Sequence, residues 1–477
     1  MGWLKITSLK IVVLNGSPKG PRSITQQYVK YIQTIFPEHD YEYIPIAQKL
    51  PAIEKNSKRF NEIIEAIQDA DGIIWAFPVY YLLVNSNYKR FIELIFERGV
   101  EKAFLGKYAA SLSTSIKFHD HIAHNYIRAI SEDLQTEFFD SASFHMDELL
   151  SDDSRKQIDN FAKNFFDTII EKRVTTRYFP SLEGKPFEYQ PTKPDLDPIH
   201  LPDKRIVIIT DAKEEETNLQ KMIQQTTKAF TNEVEVYNLH EVEIISTCQG
   251  CLQCAYDFNC VFKEKDEFTE FCEQNVKQAD VLIFAGVIKD RFLSARWKMF
   301  MDRYFYNNHT PTLQNKQIGF LISGPFSKTG VLREQLLSFV EGHRANPVGF
   351  VTDEVRSSKK LDEAIESFAR KTAYYAQHNY FQNTFRGVAG IKIFRDELLG
   401  GLKTVFRADH HYYKKHGLYR QTRKQSFRQK IFNKVLAFLV KLKGFRDRMY
   451  PQMVDYMVRP YEQKVKEIQE QQMKKEQ

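Results

Sequence analysis

Residues 9–25 read LKIVVLNGSPKGPRSIT, an apolar run of strand length followed by a turn of small residues and the start of a helical pattern. Further short apolar runs, among them GIIWAF at residues 72–77, alternate with amphipathic stretches as far as about residue 171. Short, almost wholly apolar strands that alternate with helices are typical of parallel sheets buried on both faces. We therefore predict an α/β fold in which this run is the first strand of a doubly wound domain.

A second copy of the pattern begins at residue 205 with RIVIIT and continues through VLIFA, residues 281–285. Six prolines in residues 180–202 separate the copies and give this stretch the composition of a semi-rigid linker. Each copy supplies enough strands for a flavodoxin-like parallel sheet. The predicted organisation is two tandem flavodoxin-like domains (1–175 and 204–378), a linker (176–203) and a basic, mainly helical C-terminal region (379–477).

The composition excludes several classes of protein. The chain has 477 residues, of which 42% are hydrophobic and 27% charged, unlike disordered or collagen-like chains. No apolar stretch approaches the roughly 20 residues that cross a bilayer, and we find no secretory signal. Four of the five cysteines lie between Cys248 and Cys260, which does not resemble a secreted disulfide framework. We expect a cytoplasmic protein.

The net charge of +7 comes from the C-terminal region, because residues 401–477 hold 19 basic and 7 acidic side chains. Within it, residues 427–443 place lysines opposite an apolar arc. Such a helix can lie on an anionic membrane, although its apolar arc more often packs on the protein itself or on a second subunit. We expect a homo-oligomer. The region has no motif that reads nucleic acid.

The turn after the first strand has the chemistry of an anion site. It offers the hydroxyls of Ser17, Ser23 and Thr25 and the cations of Lys19 and Arg22. A helix that starts near Ser23 directs backbone amides and its positive dipole end toward this turn. The turn lacks both the Walker and the Gly-x-Gly-x-x-Gly patterns. An ordinary capped strand-to-helix turn is the alternative interpretation.

Two further loops meet this turn, because the carboxyl ends of parallel strands share one sheet edge. A proline-stiffened aromatic loop follows the third strand, and a hydroxyl-rich segment ends the fourth. Aromatic rings stack on a planar group, while hydroxyl and amide donors bond its rim. The three loops fit FMN. The candidate contacts in the second and third loops are Pro78, Val79, Tyr80, Tyr81, Ser113, Thr114 and Ser115.

The second copy carries a compact cysteine motif, C-x2-C-x2-C-x5-C, formed by Cys248, Cys251, Cys254 and Cys260. Structural zinc usually takes two cysteine pairs separated by a dozen residues or more. Cysteines at successive short intervals instead suit one face of an iron–sulfur cubane. We favour a [4Fe-4S] cluster over zinc, with a redox dithiol or free thiols as the remaining alternatives. The fifth cysteine, Cys272, is predicted to lie in the core.

Two sets of motifs resemble known flavoproteins. The NGSP turn with its later S-x-T, ADGIIWAFPVYY and GKYAASLSTS together resemble the NADPH-dependent FMN reductase family over most of residues 9–172. The cysteine motif and VLIFAGVIKDRFLSARWKMFMDR resemble the iron–sulfur flavoproteins, relatives of that family, over about residues 204–352. The resemblance implies FMN bound by the first-copy loops and a [4Fe-4S] cluster near FMN. Ile24 is a departure, since the family usually has Asn there.

The second copy departs from the first where a phosphate would bind. Residues 214–216 are three consecutive glutamates at a helix N-terminus, and these would repel a phosphate. We therefore predict FMN in the first copy and the cluster in the second, with a second FMN at residues 323–325 as the alternative.

The expected function is that of a NAD(P)H-dependent flavin oxidoreductase. Electrons would pass between FMN and the [4Fe-4S] cluster to an acceptor that the sequence does not identify. The cofactors carry the chemistry and require no acid or base from the protein, so no catalytic residue is predicted. Two alternatives are a pure electron carrier and a non-enzymatic flavodoxin-like scaffold whose four cysteines hold structural zinc.

Two histidine clusters accompany these motifs. His119, His121 and His124 follow the fourth strand, where they either border the flavin or pack in the ordinary way. Residues 409–416 contain Asp409 and three histidines, two of which fall on different helical faces. For this second cluster a solvated or packed aromatic segment is favoured over a metal site.

Overall fold

The computed structural model describes residues 8–182, 186–192 and 197–420, together with scattered positions between 431 and 474. These residues contain two parallel five-stranded sheets, each with the flavodoxin-like strand order 2-1-3-4-5. The first sheet consists of β1 (Lys10–Asn15), β2 (Asp40–Ile44), β3 (Gly72–Pro78), β4 (Tyr108–Ser115) and β5 (Glu137–His145). The second consists of β6 (Ile206–Thr210), β7 (Val234–Asn238), β8 (Val281–Val287), β9 (Gln317–Ser323) and β10 (Asn346–Thr352). The predicted fold class, with two tandem flavodoxin-like domains, is confirmed.

Helices cover both faces of each sheet. Those of the first half are α1 (Ile24–Ile35), α2 (Ile46–Lys55), α3 (Ser57–Asp69), α4 (Ser86–Glu97), α5 (Asp120–Asp133) and α6 (Asp152–Ile170). Those of the second half are α7 (Thr217–Lys228), the short α8 (Cys254–Asp257) and α9 (Phe268–Phe271), α10 (Ala295–Tyr304), α11 (Gly330–Gly342) and α12 (Ser358–Gln377). Among the described residues, no helix is long and apolar enough to cross a membrane.

The part of the C-terminal region that the structure describes is mainly helical, as predicted. Helices α13 (Phe385–Leu399) and α14 (Arg407–Lys415) belong to the same compact unit as both sheets. Residues 416–477 form a second compact unit, in which the structure describes α15 (Lys443–Met449) and few other residues. The greater part of the amphipathic helix predicted over residues 427–443 lies outside the described residues.

The two halves share one apolar core. On β3, Ile73, Trp75 and Phe77 point to the same face, as Leu282 and Phe284 do on β8, and all five belong to one buried cluster. Alternate residues of the same strands pack in two separate clusters under the outer helices. This period of two is what a buried strand requires. The halves are therefore packed together as one body.

Helices α4 and α10 form the polar centre of this contact, and each caps the other. The backbone N–H of Ser86, at the start of α4, donates to Asp302 of α10 at 2.7 Å. Reciprocally, the N–H of Ala295, at the start of α10, donates to Glu93 of α4 at 2.7 Å. The first amides of a helix have no partner within the helix, so a buried helix N-terminus needs such acceptors. The arrangement has the pseudo-twofold pattern of a dimer within one chain.

The proline-rich segment between the halves is packed against the protein. The Arg128 guanidinium lies 3.3 Å from the ring centroid of Tyr178. Glu132 accepts the backbone N–H groups of Tyr178 and Phe179 at 3.0 and 2.8 Å. Farther along, Tyr189 is fully buried against the second half. The described part of the segment is thus held against the first half at Tyr178 and Phe179 and against the second half at Tyr189.

A buried ion pair also joins the halves. Arg291, whose side chain is 2% exposed, donates twice to Asp133 at 2.5 and 2.6 Å. We expect Arg291→Ala to lower the free energy of unfolding by about 3–5 kcal/mol, because Asp133 would lose its buried partner. Arg177 pairs with the same carboxylate but is 46% exposed, so Arg177→Ala should cost no more than about 1 kcal/mol. Urea unfolding of both variants checks this, and equal midpoint shifts would contradict it.

Candidate functional site

The turn after β1 is a close-packed cradle at the start of α1. The Ser17 N–H donates to the Asn15 side chain at 2.9 Å, and Ser17 is buried. A Cβ on Gly16 would come within 3.0 Å of Phe77 and Tyr88, so only glycine lets the backbone approach this closely. Ser23 precedes α1 without making a capping hydrogen bond. The hydroxyl of Ser23 and the first amides of α1 therefore remain available to an anion.

The three predicted loops converge here. The hydroxyls of Thr25 on α1 and Thr114 on β4 lie 2.6 Å apart, and both side chains are buried. The Val79 N–H, from the loop after β3, donates to the Thr114 carbonyl at 3.2 Å. Pro78 pairs with Thr114 in the parallel register of β3 and β4. The structure thus brings one residue or more from each loop into a single cluster.

The charged and apolar residues of the first loop face outward. Lys19 and Arg22 are exposed, as expected for cations that meet an anion from solvent. Ile24, which departs from the family pattern, is 44% exposed on the first turn of α1. Its apolar side chain offers no hydrogen bond at a position where an amide could give one.

The serines at the end of β4 form hydrogen bonds within the first half, two to a histidine and one to a backbone amide. Ser111 and Ser113 each lie 2.7 Å from a ring nitrogen of His124 on α5. Burial lowers the pKa of His124 to about 4, so its imidazole is neutral at pH 7 and gives one donor and one acceptor to the two hydroxyls. Ser115 accepts the N–H of Lys117 at 2.8 Å. Ser113 therefore faces the interior, and Ser115 stabilises a local turn.

Tyr80 lies where the cysteine loop of the second half meets the first half. A Cβ placed on Gly250, which has φ +62°, would clash with the Tyr80 hydroxyl and come within 3.3 Å of the Lys19 side chain. Burial, and then the charges of Cys248, Asp302 and Cys251, raise the pKa of Tyr80, so the phenol stays protonated. The cysteine loop therefore borders the predicted flavin loops directly. No signal in the sequence singled out Gly250.

Tyr81 is held by the second half. Its hydroxyl bonds His343, and its ring lies 5.5 Å from that of Phe339 and 6.3 Å from that of Phe305. Burial lowers the pKa of His343 to about 3, so this histidine is neutral. Among the predicted flavin contacts, Tyr81 is thus placed in the contact between the halves.

The four predicted metal ligands lie on one loop, and all are free thiols. Burial, together with the charges of neighbouring groups that include other cysteines of the motif, raises the pKa of Cys248 and of Cys254 to about 12. Cys251 is exposed. Across the part of the chain that the structure describes, no group of three or more histidine, cysteine, aspartate or glutamate side chains is placed to hold a metal ion. The four thiols are a suitable donor set for a metal–thiolate site. Their described positions, however, do not form one. Cys272 is fully buried, which confirms its predicted place in the core.

Helix α14 packs on the cysteine loop at α8. The Arg407 guanidinium lies 4.6 Å from the ring centroid of Tyr256. Asp409 is fully buried and lies 2.8 Å from the ring nitrogen of His309. The Asp409 segment is therefore a packing element, as favoured from the sequence.

The second half fills its own phosphate position with carboxylates. Glu216 accepts the N–H of Lys213 at 2.9 Å and pairs with Lys289 at 3.2 Å. At the loop after β9, Asp353 accepts from the Ser323 hydroxyl at 2.7 Å and from the Gly324 N–H at 2.8 Å. Carboxylates thus stand at the loop positions where a flavin phosphate or ring would approach, and their charge would repel a phosphate.

The NADPH-dependent FMN reductase family matches residues 9–148 and, a second time, residues 204–352. The chain belongs to this family. Membership makes it a flavin oxidoreductase that binds FMN and uses NAD(P)H, and the two matches confirm the predicted duplication.

Similar solved structures each align with about a third of the chain. An apo NADH:FMN oxidoreductase (EMOB) is 22% identical, with 33% of this chain and 88% of that one covered and a TM-score of 0.28. The flavoenzyme FerB of Paracoccus denitrificans is 16% identical, with coverage of 34% and 98% and a TM-score of 0.29. An FMN-dependent NADH-azoreductase of Bacillus anthracis is 14% identical, with coverage of 33% and 98% and a TM-score of 0.26. No curated protein matches the chain.

The buried His124 makes stability depend on pH. Its folded pKa of about 4 lies below the usual value of 6.5, so the unfolded chain binds more protons between these two values. Stability is full above pH 6.5 and falls as the pH drops toward 4. His124→Gln should flatten this dependence by up to about 1.4 kcal/mol per pH unit. Urea unfolding at several pH values measures the slope, and equal slopes for variant and parent would contradict the assignment.

Proposed function

We propose that the chain is a NAD(P)H-dependent oxidoreductase that binds one FMN, in its first half, beside the cysteine loop of its second half. The observation that carries this proposal is the convergence of Thr25, Thr114 and Val79 at the uncapped start of α1. Such an arrangement supplies hydroxyls, amides and a helix dipole to a phosphate. The equivalent position in the second half is taken by carboxylates.

The residues of the first half divide into two roles toward FMN. Ser17, Ser23 and Thr25, with the first amides of α1, would hold the phosphate, and Lys19 and Arg22 would neutralise it from the solvent side. The loop Pro78–Tyr80 and the end of β4, at Thr114, would bound the ring system. FMN supplies the capacity to take an electron pair from a nicotinamide and release electrons singly. The protein orients this group and excludes water from it.

We further propose that Cys248, Cys251, Cys254 and Cys260 hold a [4Fe-4S] cluster. Support comes from the thiol donor set, from its compact spacing and from the contact between the loop and Tyr80. Loading would require the loop to draw its thiols together and to release their protons, because the buried thiols have raised pKa values. Zinc in the same four cysteines is the competing occupant.

All five cysteines are free thiols, which fits the cytoplasmic location we propose. A homo-oligomer, and a membrane contact by the basic C-terminal helix, are likewise proposals from the sequence.

The hydroxyls of the cradle test the flavin assignment. We expect Ser17→Ala combined with Thr25→Ala to weaken FMN binding roughly 100-fold, because two hydrogen bonds to a charged phosphate are lost. Glu215→Ala, in the exposed loop of the second half, is the control and should leave the affinity within a factor of two to three of the parent. Fluorescence titration of the apoproteins measures both. An unchanged affinity in the double variant would place the phosphate elsewhere.

The cysteine motif is tested by metal analysis of protein purified without oxygen. A cluster predicts iron and acid-labile sulfide in equal amounts, and a broad visible shoulder beside the flavin bands that bleaches with dithionite. Cys254→Ser should lose iron and keep FMN, whereas Cys272→Ala, at the core cysteine, should keep both. Zinc without sulfide, or no metal at all, would contradict the cluster.

A further inference from the structure

The capping helices of the two halves carry a duplicated lysine–carboxylate pair. In α4, Lys89 lies 3.0 Å from Glu93, and both side chains are buried. In α10, Lys298 bonds Asp302 four residues later, and both are fully buried. Each carboxylate also caps the opposite helix. The two lysines are therefore structural equivalents in the pseudo-dimer.

The two lysines reach different targets across the contact. Lys298 donates to the backbone carbonyl of Tyr80 at 3.0 Å, in the turn that follows β3 of the first half. Lys89 points the other way and lies 3.7 Å from Asp290, in the equivalent turn of the second half. Only the first of these turns belongs to a loop that we assign to FMN.

The turn that Lys298 reaches needs external support. Tyr80 and Leu83 exchange backbone hydrogen bonds around Tyr81 and Leu82, which both have positive φ angles, 44° and 69°. Non-glycine residues in this region cost free energy and persist only where the surroundings hold them. Here the support comes from the second half, through Lys298 at the Tyr80 carbonyl and His343 at the Tyr81 hydroxyl.

The same network also reaches the cysteine loop. Asp302, the partner of Lys298, accepts the N–H of Ser86, and the Ser86 hydroxyl bonds that of Thr247. Thr247 directly precedes the cysteine motif. One buried polar network thus connects the turn at Tyr80 with the start of the cysteine loop.

We propose that Lys298 is a positioning residue for the flavin site: from the second half, it fixes the Tyr80 turn in the shape that receives the FMN ring system. The proposal rests on the proposed function, since it requires FMN in the first half. Lys89 has the same burial and the same kind of ion pair but supports the turn of the half without a flavin. It therefore shares the structural role of Lys298 and lacks its role in binding.

The test compares Lys298→Met with Lys89→Met in the full chain, with FMN as the probe. The FMN dissociation constant and the visible circular dichroism of the bound flavin are measured well below the melting temperature of each apoprotein. We expect Lys298→Met to raise the dissociation constant about ten-fold or more and to alter the flavin dichroism. Lys89→Met should stay within a factor of three and keep the parent spectrum.

Equal effects of the two variants on FMN affinity, or no effect of either, would overturn the proposal. If either methionine variant fails to fold, the same comparison is made with Lys298→Gln and Lys89→Gln, which keep a polar side chain at each site. Parent protein that takes up no FMN would instead refute the proposed function itself. Failure of the positioning role and failure of the flavin assignment are thereby separated.

Discussion

Two buried helix N-termini determine how this chain is assembled. The first amides of α4 and α10 need acceptors, and each helix receives its acceptor from the other half, Asp302 for Ser86 and Glu93 for Ala295. Because both bonds must form together, the halves pack in one orientation. Lys298 and Lys89 neutralise the two buried carboxylates and extend the contact to the turns beyond. The position of the cysteine loop beside Tyr80 follows from this orientation.

The duplication has kept the fold in both halves and, on our proposal, the flavin chemistry in one. Both sheets have the same strand order and contribute to one core, which preserves the packing. At the ligand edge the halves differ, because small residues and hydroxyls line the first and carboxylates fill the second. A half that binds no flavin is then free to serve as a permanent partner. The second half supplies the support of the Tyr80 turn and the four thiols of the cysteine motif.

The fold could be predicted from local sequence, because strands such as β1 and β3 are buried on both faces and are therefore almost wholly apolar in composition. The loops that meet at Thr25 and Thr114 followed from topology. The contact of Gly250 with Tyr80 and the inward turn of Tyr81 could not be predicted, because they depend on packing between halves that no local periodicity encodes. The repeated spacing Lys89-x3-Glu93 and Lys298-x3-Asp302 was the available signal. Cysteine spacing indicates a donor set but does not fix its occupant.

Counting bound FMN shows whether a chain that forms its own pseudo-dimer holds a single flavin. Apoprotein of known concentration is titrated with FMN, and the flavin retained after gel filtration is counted against the 56.1 kDa chain. We predict one FMN per chain, because Glu216 and Asp353 occupy the equivalent position in the second half. Two FMN molecules per chain would contradict the division between the halves, and none would contradict the flavin site itself.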